Sequence, residues 1–164
     1  MKIGICSDSH DNLPNLQKAM LEFQRRGVEA VIHAGDFVAP FTIDSLKMAK
    51  CPVYGVFGNC DGERLGLTNR FAEIGEIQTE PHICEIAGLK IVVMHHPHWV
   101  EAFAHESLAD IIIYGHLHKL ALEKRPPWII NPGEVFGRLS GAATVVLFDT
   151  ELNKPEVIDL DRLS

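Results

Sequence analysis

Five short polar clusters in this chain each follow a run of apolar residues. The runs are KIGIC, VEAVI, CPVYGVF, LKIVVM and ADIIIY. Their length and β-branched content are typical of buried strands. Because loops at strand ends carry many functional side chains, we expect the polar groups to converge at one place in the fold. The clusters are Asp8-Ser9-His10, Gly35-Asp36, Gly58-Asn59-Cys60-Asp61, His95-His96 and Gly115-His116-Leu117-His118.

The side chains in these clusters are carboxylates, an amide and imidazoles. Oxygen and nitrogen donors of this kind suit divalent transition metals. Six of the nine histidines lie between His95 and His118, an enrichment that the packing of a hydrophobic core does not predict. A carboxylate such as that of Asp36 can bridge two cations, whereas an imidazole cannot. The clusters therefore predict a metalloenzyme.

Two of the clusters place candidate ligands two residues apart, Asp8 with His10 and His116 with His118. In an extended segment this spacing directs both side chains to the same side. Glycine stands directly before several candidates, including Asp36. Glycine lets the chain turn sharply, so we expect it to direct the next side chain into the site.

Composition and charge restrict the possible partners. The chain has 164 residues and a formal net charge of −7, which predicts one domain over residues 1–164 and argues against a general nucleic-acid surface. A phosphate substrate would therefore need metal ions to attract it. We find neither a signal peptide nor an apolar run long enough for a membrane span. The four cysteines show no CxxC or disulfide-framework spacing, which favours a reducing cytoplasm.

The apolar pattern predicts strands that alternate with helices, and hence an α/β domain with a parallel sheet. Helices are expected between Asn12 and Gly27 and over residues 40–48, 65–73 and 98–108. After residue 80 a hairpin turning at Gly88 and several short strands predict a second, mostly antiparallel sheet packed on the first. An additional edge strand would allow a homo-oligomer. The buried stripe of the last helix is expected to consist of Trp99, Phe103 and Leu108.

The ordered series DxH, GD, GNxD, H and GHxH over residues 8–118 resembles the calcineurin-like metallophosphoesterase superfamily. The run Asn131-Pro132-Gly133 and the short chain resemble its small prokaryotic phosphodiesterase branch. The resemblance implies an α/β fold of two packed mixed β-sheets flanked by helices, a four-layer α/β/β/α sandwich. It also implies a phosphodiesterase in which a metal-bound hydroxide attacks the phosphorus of a small phosphodiester.

The resemblance further implies two divalent metal ions that share Asp36. Manganese is the first expectation, with nickel, iron, zinc or magnesium as alternatives. Asn59 would also contact the phosphate. The implied ligands are Asp8, His10, Asp36 and His118 for one ion, and Asp36, Asn59, His95 and His116 for the other.

Two positions depart from the family pattern. Cys60 stands where many members have a histidine that acts with the equivalent of Asp61, and a thiol is a poorer acid–base group near neutral pH. We expect Cys60 to be a packed, inert thiol and keep Asp61 as a catalytic candidate. His96 stands where the family usually has glycine. His98 is a candidate acid and His96 a candidate phosphate-binding residue, with solvent-facing loop histidines as the alternative.

Two other functions remain open at this stage. One is a phosphomonoesterase or nuclease that uses the same metals. The other is a catalytically weak interaction scaffold, since a eukaryotic trafficking subunit resembles this chain in fold and size. The complete set of candidate ligands favours the enzyme, because a scaffold is free to lose them.

Overall fold

A computed structural model describes residues 1–163 and contains eleven strands and four α-helices in that part of the chain. The helices are α1 (Leu13–Arg25), α2 (Thr42–Leu46), α3 (Arg64–Phe71) and α4 (Val100–His105). The strands are β1 (Lys2–Cys6), β2 (Ala30–His33), β3 (Val53–Val56), β4 (Gly75–Gln78), β5 (His82–Ile86), β6 (Leu89–Val93), β7 (Ile111–Ile113), β8 (Ala121–Lys124), β9 (Trp128–Asn131), β10 (Thr144–Asp149) and β11 (Lys154–Asp159).

The strands form two mixed sheets. The first has the order β11-β10-β1-β2-β3-β4, and the second has the order β5-β6-β7-β9-β8. Strands β1 to β4 run parallel, and β10 returns antiparallel beside β1. In the second sheet β6, β7 and β9 run parallel, while β5 and β8 are antiparallel to their neighbours. No helix within residues 1–163 has the length and apolar character needed to cross a bilayer.

Three apolar layers hold the sheets and helices together. Helices α1, α2 and α3 cover the outer face of the first sheet through residues such as Phe23, Leu46 and Phe71. The inner faces of the sheets meet through residues such as Ile5 and Ile113, and α4 covers the outer face of the second sheet. The prediction of a four-layer α/β/β/α arrangement is confirmed.

The expectation of a mostly antiparallel second sheet was wrong. Two of its four pairings are parallel, and β10 and β11 belong to the first sheet instead. Five of the six residues of β10 are buried, because this strand lies between β1 and β11 with apolar layers on both faces. A strand with apolar residues on both faces is typical of a sheet interior.

The first helix follows its sequence signals closely. The Asn12 side chain accepts a hydrogen bond from Asn15 N at 3.3 Å, Pro14 lies in the first turn, and Gly27 follows the end with φ +72°. The last helix is shorter than predicted because residues Pro97–Trp99 form a 3₁₀ turn before α4 begins. Trp99 and Leu108 consequently lie beyond its ends and are 56 % and 44 % exposed. The predicted buried stripe was therefore wrong for these two residues.

Candidate metal centre

The seven predicted ligands lie in loops that follow the carboxyl ends of β1, β2, β3, β6 and β7. Within the first sheet β1, β2 and β3 run parallel to one another, and within the second sheet β6 and β7 do so. The carboxyl ends of parallel strands open at one edge, where α/β folds place their sites. The ligand loops of both sheets meet there. The residues brought together are Asp8, His10, Asp36, Asn59, His95, His116 and His118.

One half of the site contains Asp8, His10, Asp36 and His118. One donor atom from each of them lies within 4.8 Å of every other. His118 Nε2 is 3.4 Å from Asp8 Oδ1, and His10 Nε2 is 3.5 Å from Asp36 Oδ2. This group matches the first ligand set implied by the sequence.

The other half contains Asn59, His95 and His116. Asn59 Oδ1 is 2.9 Å from both His95 Nε2 and His116 Nδ1. His95 Nε2 also lies 3.4 Å from Asp36 Oδ2. The same Asp36 oxygen therefore faces an imidazole in each half, which is the position that a bridging carboxylate needs.

Hydrogen bonds on the far side of two rings determine which nitrogen faces the site. His95 Nδ1 donates to the carbonyl oxygen of Ala34 at 2.8 Å, since a carbonyl can only accept. His118 Nδ1 lies 2.7 Å from Glu134 Oε2 and donates to it. In the neutral imidazole, Nε2 then carries a lone pair rather than a proton. Both Nε2 lone pairs therefore face the site, while the opposite ring N–H is held by a carbonyl or a carboxylate, as in metal-ligating histidines.

The donor set fits a divalent cation. Lone pairs on imidazoles and carboxylates that face one another repel unless a positive charge lies between them. Asp8 Oδ1 is buried and has no hydrogen-bond partner among residues 1–163. A buried polar atom without a partner is costly, and a cation bound beside His118 would satisfy it.

Burial opposes ionisation of Asp36, but the neighbouring His95 imidazole and a hydrogen bond from Cys60 hold its pKa below the usual range. Cys60 N donates to Asp36 Oδ1 at 2.8 Å, which leaves Oδ2 for the two imidazoles. A carboxylate that stays charged in a buried place is suited to a bridging role.

Several ligands have left-handed backbone conformations. The φ angles are +53° at Asp8, +41° at His10, +60° at Asp36, +65° at His116 and +53° at His118. The expectation of extended Asp-x-His and His-x-His segments was therefore wrong, although their side chains still converge. Such angles cost of order 1 kcal/mol per residue, and asparagine, aspartate and histidine tolerate them best among non-glycine residues.

The ligand loops hold one another in these conformations. Asp8 N donates to Gly35 O at 3.0 Å, and His10 N donates to Asp36 O at 3.1 Å. Gly35 provides a turn with φ +94°, as predicted. Gly58 is needed for space instead, because a Cβ there would lie 2.1 Å from Asp36 Oδ1.

Asp61 organises the backbone around the site. Its carboxylate accepts hydrogen bonds from Gly58 N at 2.7 Å, Val38 N at 2.8 Å and Asp36 N at 3.1 Å. The residue is only 3 % exposed. These contacts connect the loops after β2 and β3, so its position favours support of the ligands over direct contact with a substrate.

Cys60 differs from its expected packing. The residue is exposed, and its Sγ accepts a hydrogen bond from Asn59 Nδ2 at 3.3 Å. Partial burial and the negative charge of Asp36 raise the pKa of the Cys60 thiol to about 11. A thiol with this pKa stays protonated at neutral pH and cannot act as a nucleophile or a base.

The two additional histidines lie beside the half that contains His95 and His116. His96 Nδ1 is 2.6 Å from Glu80 Oε1. The exposed His98 ring stacks on His96, with ring centroids 5.2 Å apart and planes 14° apart. His98 therefore packs against His96 and is open to solvent.

Two carboxylates near the ligands are not among the predicted site residues. Glu80 and Glu134 each contact a histidine sixteen residues along the chain. For Glu134 a signal existed, since it directly follows Asn131-Pro132-Gly133. Asn131 is buried and donates to Gly115 O at 3.0 Å, so this run supports the His116–His118 loop. No comparable sequence signal marks Glu80.

Over most of its length the chain is similar to known phosphoesterases. Residues 1–153 match the calcineurin-like phosphoesterase superfamily domain. A phosphodiesterase of Methanocaldococcus jannaschii is 39 % identical, with 98 % of this chain and 100 % of the relative covered. A probable metallophosphoesterase of Methanothermobacter thermautotrophicus is 28 % identical, with 96 % and 92 % covered.

Solved structures show the same fold. The structure of an archaeal phosphodiesterase is 38 % identical and has a TM-score of 0.92, with 97 % of this chain and 99 % of that chain covered. The phosphoesterase YfcE of E. coli has a TM-score of 0.74 at 22 % identity, with 100 % and 96 % covered. Vacuolar protein sorting 29 of Cryptosporidium parvum has a TM-score of 0.66 at 20 % identity, with 96 % and 95 % covered.

The last two resemblances concern the fold alone. The match over residues 1–153 and the 39 % identical relative confirm the prediction of a metal-dependent phosphoric ester hydrolase. The chain belongs to the calcineurin-like phosphoesterase superfamily.

Proposed function

We propose that this chain is a dinuclear-metal phosphodiesterase that hydrolyses small phosphodiesters. The observation that carries the proposal is the position of Asp36 Oδ2, which lies 3.5 Å from His10 Nε2 and 3.4 Å from His95 Nε2. One carboxylate oxygen thus lies close to an imidazole nitrogen from each half of the site. The name of the 39 % identical relative, a phosphodiesterase, supports the substrate class.

Each half of the site would hold one divalent ion. Asp8, His10, Asp36 and His118 would hold the first. Asp36, Asn59, His95 and His116 would hold the second. The mixture of nitrogen and oxygen donors favours manganese, iron, nickel or zinc over a site for magnesium alone, and manganese remains the first expectation.

A pair of divalent ions supplies positive charge to the phosphoryl group and lowers the pKa of water, so that no side-chain nucleophile is required. The protein's own groups position the reactants. Asn59 faces both imidazoles of the second half and reaches the open side, where it can also contact a phosphate oxygen. His98 is exposed and stacks on His96, and we propose that it gives a proton to the leaving oxygen.

A groove beside the second half offers room for an ester substituent of the substrate. It has a volume of about 290 Å³ and extends from Asn59 and His96 toward Arg64. The Arg64 guanidinium lies over the Phe57 ring at 5.1 Å from its centroid. One of the two ester substituents of a diester can occupy this groove. The groove is lined by Phe57, Gly58, Asn59, Arg64, Thr79, Glu80 and His96.

The net charge of −7 supports small substrates over nucleic acids, because it opposes the approach of a long polyanion. The free thiols of Cys6, Cys51, Cys60 and Cys84 support a location in a reducing cytoplasm. We also propose that residues 1–164 act as one catalytic domain.

The test combines metal content with hydrolysis of aryl phosphates. The purified protein is freed of metal, reloaded separately with Mn²⁺, Ni²⁺, Fe²⁺, Zn²⁺ or Mg²⁺, and given bis-p-nitrophenyl phosphate or p-nitrophenyl phosphate. We expect two bound ions per chain and a higher kcat/KM for the diester. The variant Asp36→Asn should lose activity with both substrates. Preference for the monoester, or no hydrolysis with any ion, would refute the proposal.

A further inference from the structure

Glu80 makes three hydrogen bonds to the loop after β6. Its Oε2 accepts from His95 N at 2.6 Å and from His96 N at 2.8 Å. Its Oε1 is 2.6 Å from His96 Nδ1. One carboxylate therefore determines both the backbone of the His95 loop and the orientation of the His96 ring.

These contacts determine the chemical state of His96 Nε2. The Glu80 carboxylate already accepts two backbone N–H groups, so it is an acceptor for His96 Nδ1–H as well. In the neutral ring, Nε2 then carries a free lone pair. The same arrangement holds His118, whose Nδ1 is 2.7 Å from Glu134 Oε2. A carboxylate behind the imidazole is characteristic of metal-ligating histidines.

The His96 ring lies among the imidazoles of the second half. Its centroid is 4.5 Å from that of His116 and 5.0 Å from that of His95. One donor atom from each of the three residues lies within 4.8 Å of the others. A histidine that merely faced solvent would need neither the carboxylate nor this proximity.

We propose that His96 Nε2 is an additional ligand of the ion held by Asn59, His95 and His116, and that Glu80 is its positioning residue. The inference rests on the proposed two-metal site and adds a donor to it. An extra imidazole raises the affinity of this half for Zn²⁺ and Ni²⁺ more than for Mg²⁺, because these ions prefer nitrogen ligands. It also leaves fewer positions of that ion open to water or substrate.

Calorimetric titration of the metal-free protein with Zn²⁺ tests this without any substrate. We expect His96→Ala to weaken one of the two binding events by at least about 10-fold and to leave the other unchanged. Glu80→Gln should weaken the same event by a smaller factor. His98→Ala is the matched control, since it removes the stacked neighbour in the same loop, and both of its affinities should equal those of the unaltered protein.

A second measurement needs no variant. In the Co²⁺-substituted protein the ring N–H protons of bound histidines give strongly shifted NMR signals. We expect signals from His10, His95, His116 and His118 and one further signal, from the ring N–H of His96. Absence of that signal would overturn the proposal even if His96→Ala fails to fold.

Other outcomes separate this inference from the proposed function. Unchanged Zn²⁺ affinities in folded His96→Ala, with normal diester hydrolysis by the unaltered protein, would overturn the role of His96 alone. Weaker binding of inorganic phosphate with unchanged metal affinities would also overturn it, because His96 would then face the substrate. His96→Ala could lose one metal affinity while the unaltered protein hydrolyses no phosphoester. That result would support His96 as a ligand and refute the proposed enzyme activity.

Discussion

Replacing Glu134 by glutamine should weaken metal binding without any change to a ligand. Glu134 is fully buried and accepts hydrogen bonds from His118 Nδ1 at 2.7 Å, Leu139 N at 2.9 Å and Ser140 N at 2.6 Å. A glutamine amide can keep its oxygen toward the two backbone N–H groups. Its NH₂ group then faces His118 Nδ1, where a donor already stands.

The magnitude follows from the tautomer of His118. To avoid two opposed donors, the ring must move its proton to Nε2, the atom that lies 3.4 Å from Asp8 Oδ1. A protonated Nε2 cannot bind a cation. Loss of such a carboxylate partner typically lowers metal affinity about 10–100-fold, which corresponds to about 1.4–2.8 kcal/mol. The half that contains Asn59 and His95 should keep its affinity.

The assay is a calorimetric titration of metal-free protein with Mn²⁺, with circular dichroism to show that the variant is folded. Glu85→Gln is the control, because it removes the same charge from an exposed side chain on β5. If folded Glu134→Gln binds Mn²⁺ as tightly as Glu85→Gln does, the assignment of a positioning role to Glu134 is wrong.

Three further predictions concern space, pH and metal removal. Gly58→Ala places a Cβ 2.1 Å from Asp36 Oδ1, so kcat/KM for a diester should fall about 100-fold. In the control Gly62→Ala the new Cβ meets no atom within 4 Å, and kcat/KM should stay unchanged. Hydrogen bonding to Arg25, only partly opposed by burial, lowers the pKa of Glu22 to about 2. The ionised Glu22 carboxylate therefore stabilises the folded state at pH values above its ordinary pKa. This stabilisation is lost as pH falls through about 2. In urea unfolding at pH 7, Glu22→Gln should lower the free energy of unfolding by about 1 kcal/mol. The effect is this small because Arg25 is largely exposed and water screens the ion pair. An equal decrease at pH 2 would contradict the prediction. Chelation should lower Tm, because an ion at 100 times its Kd adds about 2.7 kcal/mol; a Tm that does not respond to Mn²⁺ would exclude binding to the folded state.

The strand-end motifs were sufficient to predict the family and the groups that meet at the site. Each motif follows a buried strand, and parallel strands end at one edge, so convergence could be predicted without coordinates. The sheet membership of β10 and β11 could not. Strand pairing depends on which sheet edge has unpaired backbone groups, and β10 pairs with the edge of β1 opposite to β2.

The local backbone geometry differs from its prediction. The two-residue spacing suggested extended segments, yet Asp8 and His10 both have positive φ. Local sequence cannot predict this, because the left-handed conformation is unfavourable by itself. It persists because Asp8 N and His10 N bond to the neighbouring loop at Gly35 O and Asp36 O.

The order of residues along the chain sets which donor atoms are available and places them at strand ends. The orientation of those donors comes from the packing of the strands and loops. Glu134 behind His118 and Glu80 behind His96 are each sixteen residues from the ring that they hold. Such contacts exist only after the strands and loops have packed, since no local pattern brings these side chains together. The same packing places Asp36 Oδ2 between the two halves of the site.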